Sequence, residues 1–118
     1  MSRIIDTQSI APELLQALEW RGTNRELRQA FPLSVKHGAP LSVSGLLNTL
    51  SHLGYEGNAQ NVQVQDIDLD RLPCLFIGKG ESIPFILTND NVEEHARKTG
   101  TACFFKRTEA EDQEQPLI

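Results

Sequence analysis

The residues best suited to chemistry are two cysteines and three histidines, and their spacing decides what they can do. Cys74 and Cys103 both lie inside short apolar runs, which predicts buried, free thiols of the kind that persist in a reducing cytosol. The histidines are far apart, without the i, i+3 or i+4 spacing that places two ligands on one helix face: His37, His52 and His95. We therefore predict no metal, no cofactor and no activated thiol.

Three aspartates have the spacing with which a calcium-binding loop begins: Asp66, Asp68 and Asp70. Such a loop needs a glycine at its sixth position and a glutamate at its twelfth, where this sequence has Arg71 and Ile77. The turn and the bidentate ligand are both missing, so the pattern predicts a solvated acidic turn.

The composition is that of one ordinary globular domain. The chain has 118 residues, of which 39% are hydrophobic and 23% charged. No apolar run approaches the roughly 18 residues that cross a bilayer, and the N-terminus has no apolar signal segment.

The net charge of −5 is concentrated at the C-terminus. Residues 108–118 contain four acidic and no basic side chains, and subtracting those four charges from −5 leaves −1 for residues 1–107. A nearly neutral domain lacks the basic surface that nucleic acid requires. We predict a domain over residues 1–107, an acidic linker or disordered tail over 108–118, and no nucleic-acid partner.

The clearest local pattern is a hairpin. Two apolar runs, Cys74–Ile77 and Ile83–Leu87, flank a connection in which Gly78 and Gly80 can adopt positive φ. A hairpin alone is not stable in water, so other segments must cover its two faces.

Helices come before this hairpin. Apolar spacing predicts a first helix over about Ile10–Arg21, closed by Gly22. A capping box from Thr23 to Glu26 begins a second helix that ends before Pro32, and residues 33–40 are predicted as a loop. Ser42 caps the clearest helix, which ends at Gly54.

Short strands and one more helix complete the prediction. Asn61–Gln65 is predicted as an edge strand, Asn91–Lys98 as a capped helix ended by Gly100, and Ala102–Phe105 as the last strand. Three helices followed by strands indicate an α+β fold with a mostly antiparallel sheet.

The order of these segments resembles a known family. The chain is similar to the N-terminal, bacteriocin-processing cysteine-peptidase-like domain of bacterial ABC exporters, in the degenerate form of type I secretion systems for haemolysins and RTX adhesins. The resemblance covers about residues 8–107. It rests on motifs at Leu18–Gly22, Arg25–Arg28, Leu41–Tyr55, Asp70–Pro73, the glycine-linked strand pair and Gly100–Arg107.

The resemblance implies a papain-like fold whose catalytic residues are missing. The resemblance places the family's nucleophilic cysteine near Ser9 and its oxyanion glutamine near Arg3. It places the catalytic histidine at the start of the second strand of the pair, where this sequence has Ile83-Pro84-Phe85 and Pro84 offers no side-chain proton acceptor. The Asp-Pro pair that orients that histidine has no counterpart. A serine without a base is not activated. The domain is therefore expected not to be an enzyme, although the parent transporter would be an ATPase.

The function implied by the resemblance is to bind and position an unfolded export substrate. Such domains lie on the cytoplasmic side of the bacterial inner membrane, and their partners are the transmembrane and nucleotide-binding domains of the same transporter. A groove for an extended chain needs exposed apolar or aromatic side chains, and the candidates here are Trp20, Tyr55, Phe85 and the region of Ser9.

Two alternatives belong to other functional classes. One is a small regulatory or adaptor module unrelated to secretion, which would show its helices as a bundle or a winged helix. The other is an active hydrolase that uses Ser9 or a thiol with His37 or His95.

Overall fold

The computed structural model describes residues 5–108, and within them the chain is an α+β domain, as predicted. Three short 3-10 turns lie in the connections, at Val64–Asp66, Leu69–Arg71 and Glu93–His95. The main elements are helices α1 (Ala11–Ala17), α2 (Asn24–Ala30), α3 (Leu33–Lys36) and α4 (Val43–His52), and strands β1 (Tyr55–Gln63), β2 (Cys74–Gly78), β3 (Phe85–Leu87) and β4 (Thr99–Arg107).

The strands form one antiparallel sheet in the order β1-β4-β2-β3. The predicted hairpin is confirmed, since β2 pairs with β3 with Cys74 opposite Leu87 and Phe76 opposite Phe85. The second strand begins later than predicted: Ile83 precedes it and is 77% exposed. The restricted backbone at Pro84 is typical of a residue just before an edge strand.

Each face of the sheet has its own hydrophobic core. The helices cover one face, where Leu14, Leu46 and Leu50 pack with Leu75 and Cys103. The connections with 3-10 turns cover the other face, and the guanidinium of Arg71 lies 3.7 Å above the ring of Phe104. The buried residues of this second core are Val64, Ile67, Cys74, Phe76, Leu87, Val92, Ala102 and Phe104.

Two of the predicted helix caps are confirmed. At α2 the Glu26 amide donates to the Thr23 hydroxyl at 3.2 Å, and the Thr23 amide donates to the Glu26 carboxylate at 2.7 Å. At α4 the hydroxyl of Ser42 accepts from the Gly45 amide at 3.1 Å. Gly54 follows the C-cap with a φ of 96°, as the predicted C-terminus requires.

The first helix is shorter than predicted. It ends at Ala17 because Glu19 adopts a left-handed conformation with a φ of 65°. The amide of Trp20 donates to the Leu15 carbonyl at 2.9 Å and that of Glu19 to the Gln16 carbonyl at 3.0 Å, which is the Schellman pattern. Gly22 therefore does not close the helix; it lies under the indole of Trp20, where a Cβ would collide with the ring.

Other elements of the structure also differ from the prediction. Residues 33–36 form α3 rather than loop, and β1 begins at Tyr55 rather than Asn61. The helix expected from Asn91 is only a 3-10 turn, because the Asn91 side chain accepts from the Thr88 amide and donates to the Ile86 carbonyl instead of capping. Gly100 lies inside β4.

No helix within residues 5–108 is long and apolar enough to cross a membrane. The predicted acidic tail, apart from Thr108, and the position at Arg3 lie outside the described residues.

The left-handed residue after α1 generates a stability prediction. We expect Glu19→Gly to raise the free energy of unfolding by about 0.5–1 kcal/mol. Glycine would remove roughly 1–2 kcal/mol of steric strain that the Glu19 side chain causes at positive φ. This gain is larger than the free-energy cost of the extra chain entropy that glycine loses on folding. Urea unfolding of both proteins measures the difference.

The matched control for this prediction is Gln16→Gly, at an exposed position inside α1. This substitution should lower the free energy of unfolding by about 1 kcal/mol. Residue 16 has a helical φ, so glycine relieves no strain there and only increases the chain entropy that is lost on folding. Equal destabilisation by both substitutions would show that residue 19 is not strained.

Candidate functional site

A cleft of about 430 Å3 lies between the segment that leads into α1 and the segment that leads into β3. It brings together Ser9 and Pro84, the two positions at which the resemblance places a nucleophile and a catalytic histidine. The other residues that line it are Asp6, Ile10, Glu13, Ser82 and Ile83.

Buried hydrogen bonds to Leu41 fix the Ser9 side of the cleft. The fully buried Thr7 donates to the Leu41 carbonyl from its amide at 2.8 Å and from its hydroxyl at 2.9 Å. One carboxylate oxygen of Asp6 accepts from the amides of Leu41 at 2.9 Å and Gln8 at 3.0 Å. The entry to α1 is thus held by tertiary contacts, since the N-cap residue Ile10 makes no side-chain cap.

A tight turn after β2 fixes the opposite side. Gly80 has a φ of 80°, and the Glu81 amide donates to the Gly78 carbonyl at 2.9 Å. The Glu81 carboxylate pairs with Lys98 at 3.1 Å, although both side chains are more than a third exposed and the ion pair contributes little. The chain then passes through residues 82–84 into β3.

The lining of the cleft suits binding better than catalysis. It carries two hydroxyls, two carboxylates and an apolar rim on which Ile83 is largely exposed. Among residues 5–108, no histidine or cysteine lines this cleft. Within the same residues, the exposed Ser9 side chain makes no hydrogen bond to a base.

The histidines lie elsewhere. His37 and His52 lie at the ends of α3 and α4, and the ring of His95 contacts that of Phe85 at a tilt of 42°, with 4.6 Å between centroids. Nowhere in the described range 5–108 do three or more histidine, cysteine or acidic side chains converge as a metal site would require.

Both thiols are buried and free, as predicted. Burial raises the pKa of Cys74 from 9.0 to about 12, with a further contribution from Cys103, and raises that of Cys103 to about 11. Their side chains belong to the cores on opposite faces of the sheet. Neither is the exposed, ionised thiol that nucleophilic chemistry needs.

The three predicted binding aromatics do not meet in one groove. Trp20 is half-buried against the helical core, and Tyr55 is only 3% exposed, with its hydroxyl donating to the Leu18 carbonyl at 3.4 Å. Phe85 packs on the other core, where it meets Phe76 edge-on at 5.7 Å. The sheet separates Phe85 from the other two, and none of the three lines the cleft.

Sequence reasoning missed the residue that gives the cleft its apolar rim. Ile83 lies in an apolar run and was assigned to the strand, whereas the structure leaves it on the surface. Pro84 was the signal in the sequence that the strand begins later. Proline has no amide hydrogen to donate to a neighbouring strand, so regular pairing is expected to start after it.

No family model, no curated protein and no solved structure matches this chain.

The raised thiol pKa values predict alkaline destabilisation. An unfolded thiol ionises near 9.0, whereas the folded ones stay protonated to about 11 and 12, so the folded state binds more protons above pH 9. The free energy of unfolding should therefore fall as the pH rises from about 9 toward 11, with no thiol contribution below that range.

Urea unfolding at pH 8 and pH 10.5 measures this effect, because only the higher pH lies within the window. The control is the double variant Cys74→Ala, Cys103→Ala, which lacks the thiol contribution and keeps every other ionisable side chain. Equal pH dependence in the two proteins would contradict the assignment of buried thiols.

Proposed function

We propose that this domain is a non-catalytic, papain-like module of a type I secretion transporter that binds an unfolded export substrate. The observation that carries the proposal is the cleft in which Ser9 meets Pro84. The two residues come from distant parts of the chain, and the resemblance places the family's nucleophile near the first and its catalytic histidine in the segment that contains the second. A chance resemblance would give no reason for these two positions to line one cleft.

The architecture around the cleft supports the same proposal. Ser9 lies just before a helix that packs on an antiparallel sheet, and Pro84 lies just before an edge strand of that sheet. A papain-like site has this arrangement, with a nucleophile at a helix start facing a base at a strand start. The helices pack on one face of the sheet instead of forming the bundle or winged helix of the adaptor alternative.

The residues in the cleft favour binding over hydrolysis. Pro84 has no side-chain proton acceptor, so Ser9 has no base at the position where the resemblance requires one. The Asp6 carboxylate oxygen that accepts from two backbone amides is already used to hold the loop. A serine without a base remains an ordinary hydroxyl, which can donate to and accept from a peptide group.

Ile83 is the side chain in the cleft best placed to hold a ligand. It is 77% exposed and lies beside Ile10 and Pro84, so an apolar side chain of an extended substrate can bury against it. We therefore assign the binding role to this apolar rim rather than to Trp20, Tyr55 or Phe85.

In the proposed setting, the domain lies on the cytoplasmic face of the inner membrane beside the transmembrane and nucleotide-binding domains of its transporter. An export substrate must stay unfolded until it crosses the membrane. A cleft that holds an extended segment without cutting it would keep that segment near the channel entrance.

The test is a titration of the 15N-labelled domain with a peptide of three glycine-rich RTX repeats, followed by amide chemical shifts. These repeats fold on binding calcium, so the same peptide is used in EDTA and in excess calcium. We expect shifts around Ser9, Ile83 and Pro84 with the unfolded peptide only. Absence of shifts with either form would contradict the proposed function.

The matched pair of variants is Ile83→Ser and Leu33→Ser, since Leu33 is also exposed, at 69%, but does not line the cleft. Ile83→Ser should weaken binding by about five- to tenfold, because it removes about 1–1.4 kcal/mol of apolar contact. Leu33→Ser should bind as the original chain does. Equal effects of the two substitutions would show that binding does not use this rim.

The hydrolase alternative has its own test. We expect a fluorophosphonate probe to leave Ser9 unlabelled after a long incubation, because no imidazole lines the described cleft to activate its hydroxyl. Mass spectrometry of the intact protein measures the adduct, with a serine protease as the positive control. Stoichiometric labelling at Ser9 would favour the hydrolase.

A further inference from the structure

The two edges of the sheet differ in how they are protected against pairing with another chain. β1 runs for nine residues and pairs with β4 on one side only, and within residues 5–108 no strand pairs with its other side. β1 contains no proline and no lysine, which commonly prevent strand addition, and its one charged residue is Glu56. At the opposite edge, β3 has only three residues and follows Pro84. Only β1 therefore offers a long row of backbone groups.

The direction of these backbone groups follows from the two ends of the ladder between β1 and β4. The Thr108 amide donates to the Gly54 carbonyl at 2.8 Å, and the Val64 amide donates to the Lys98 carbonyl at 2.9 Å. Hydrogen-bonded pairs alternate with non-hydrogen-bonded pairs in an antiparallel ladder, so the even-numbered residues of β1 bond to β4. The amides and carbonyls of its odd-numbered residues point outward: Tyr55, Gly57, Ala59, Asn61 and Gln63.

The set of outward-pointing residues is symmetric about Ala59. A second copy of β1, placed antiparallel along this edge with Ala59 opposite its counterpart, puts Gly57 opposite Asn61 and Tyr55 opposite Gln63. Every such pair consists of two outward-pointing residues, which exchange two backbone hydrogen bonds. This register alone pairs both strands over their full length, so a single two-fold axis satisfies the whole edge.

The side chains that meet in this register are compatible. Glu56 lies opposite Val62 of the second copy, and the two Glu56 carboxylates are separated by six strand positions, or roughly 20 Å. On the same face Asn58 lies opposite Gln60, and carboxamides both donate and accept hydrogen bonds. The residue on the axis, Ala59, is exposed and small. The pairing therefore brings no like charges together across the strands.

Helix α4 stands beside one half of this edge. A groove of about 560 Å3 lies between α4 and residues 56–57 of β1. Leu47 lies at its inner side, where a Cβ at Gly57 would come within 2.6 Å of the leucine side chain. The rest of the lining from α4 is polar and comes from one helix face, at the i, i+4 and i+7 positions: Ser44, Asn48 and Ser51.

The other half of the edge has no helix above it. Side chains of odd-numbered β1 residues lie on the helical side of the sheet, since Tyr55 belongs to the helical core. On this side Asn61 and Gln63 line an open cleft of about 760 Å3, to which helices α1–α4 of the described chain contribute no residue. Because Asn61 lies opposite Gly57 in the two-fold register, the open half of each edge meets the α4 of the other copy. Carboxamides then face the polar side chains of that helix.

We propose that two copies of this chain pair through their β1 edges about a two-fold axis at Ala59, which joins two four-stranded sheets into one of eight strands. A second copy fits this edge better than an isolated extended segment does, because only the copy brings an α4 to the half that lacks a helix. The inference does not use the proposed function. The Ser9 cleft adjoins β3 at the opposite edge of each sheet and stays accessible in the dimer.

Charge substitutions at the axis test the proposal by sedimentation velocity, over protein concentrations of roughly 10 μM to 1 mM. The unmodified chain should pass from monomer to dimer in this range. Ala59→Lys and Ala59→Glu each place two like charges opposite each other, so each should raise the dimer dissociation constant by about tenfold or more. An equimolar mixture of the two variants brings opposite charges together and should restore the dimer. Gln16→Lys, at an exposed position on α1, is the control and should dimerise as the unmodified chain does.

Residue-resolved hydrogen exchange of the unmodified chain gives an independent measurement. At concentrations where most of the protein is dimeric, the amides of Gly57, Ala59 and Asn61 should gain about tenfold protection, because each acquires an acceptor. The amides of Asn58 and Gln60 already bond to β4 and should change by less than about twofold.

Three results would overturn the inference. The first is a chain that stays monomeric at about 1 mM. The second is a dimer that neither charge substitution at Ala59 weakens, since its interface would lie on another surface. The third is protection of the outward β1 amides only when the repeat peptide is added, which would assign the edge to a peptide. The proposed function is decided separately, by the peptide-induced shifts around Ser9 and Ile83.

Discussion

Burial of β2 on both faces is the constraint on which the rest of the structure depends. All five residues of this strand are buried, with Leu75 toward the helices and Cys74 and Phe76 toward the opposite core. A strand of this kind requires two covering layers. The helices form one, and the connections before and after the hairpin form the other. β4 lies against β2 so closely that a Cβ at Gly100 would collide with the Ile77 carbonyl, so the pairing of Gly100 with Gly78 requires a glycine at position 100.

The parts of the fold that could be predicted are those encoded by local chemistry. The caps at Thr23 and Ser42 and the two apolar runs of the hairpin each depend on a few neighbouring residues. Both caps are present, and the hairpin forms with a second strand that is two residues shorter than its apolar run. β1 was mostly missed because an edge strand exposed on much of both faces shows no apolar alternation; its pairing with β4 is decided by residues far along the chain. The helix cap predicted at Asn91 is absent for a related reason. The Asn91 side chain forms hydrogen bonds with the backbone of the preceding residues Ile86 and Thr88 instead of with the amides that follow it.

At the candidate site, too, features that depend on distant parts of the chain could not be predicted from the sequence. The resemblance gave approximate positions near Ser9 and at Ile83–Phe85, and the structure places Ser9 and Pro84 on the lining of one cleft. Aromatic residues carried no comparable signal: Trp20, Tyr55 and Phe85 have similar apolar character, and only the sheet between them decides which core each one enters. The exposed rim at Ile83 depends on where β3 begins, which a single proline shifted by two residues from the predicted start.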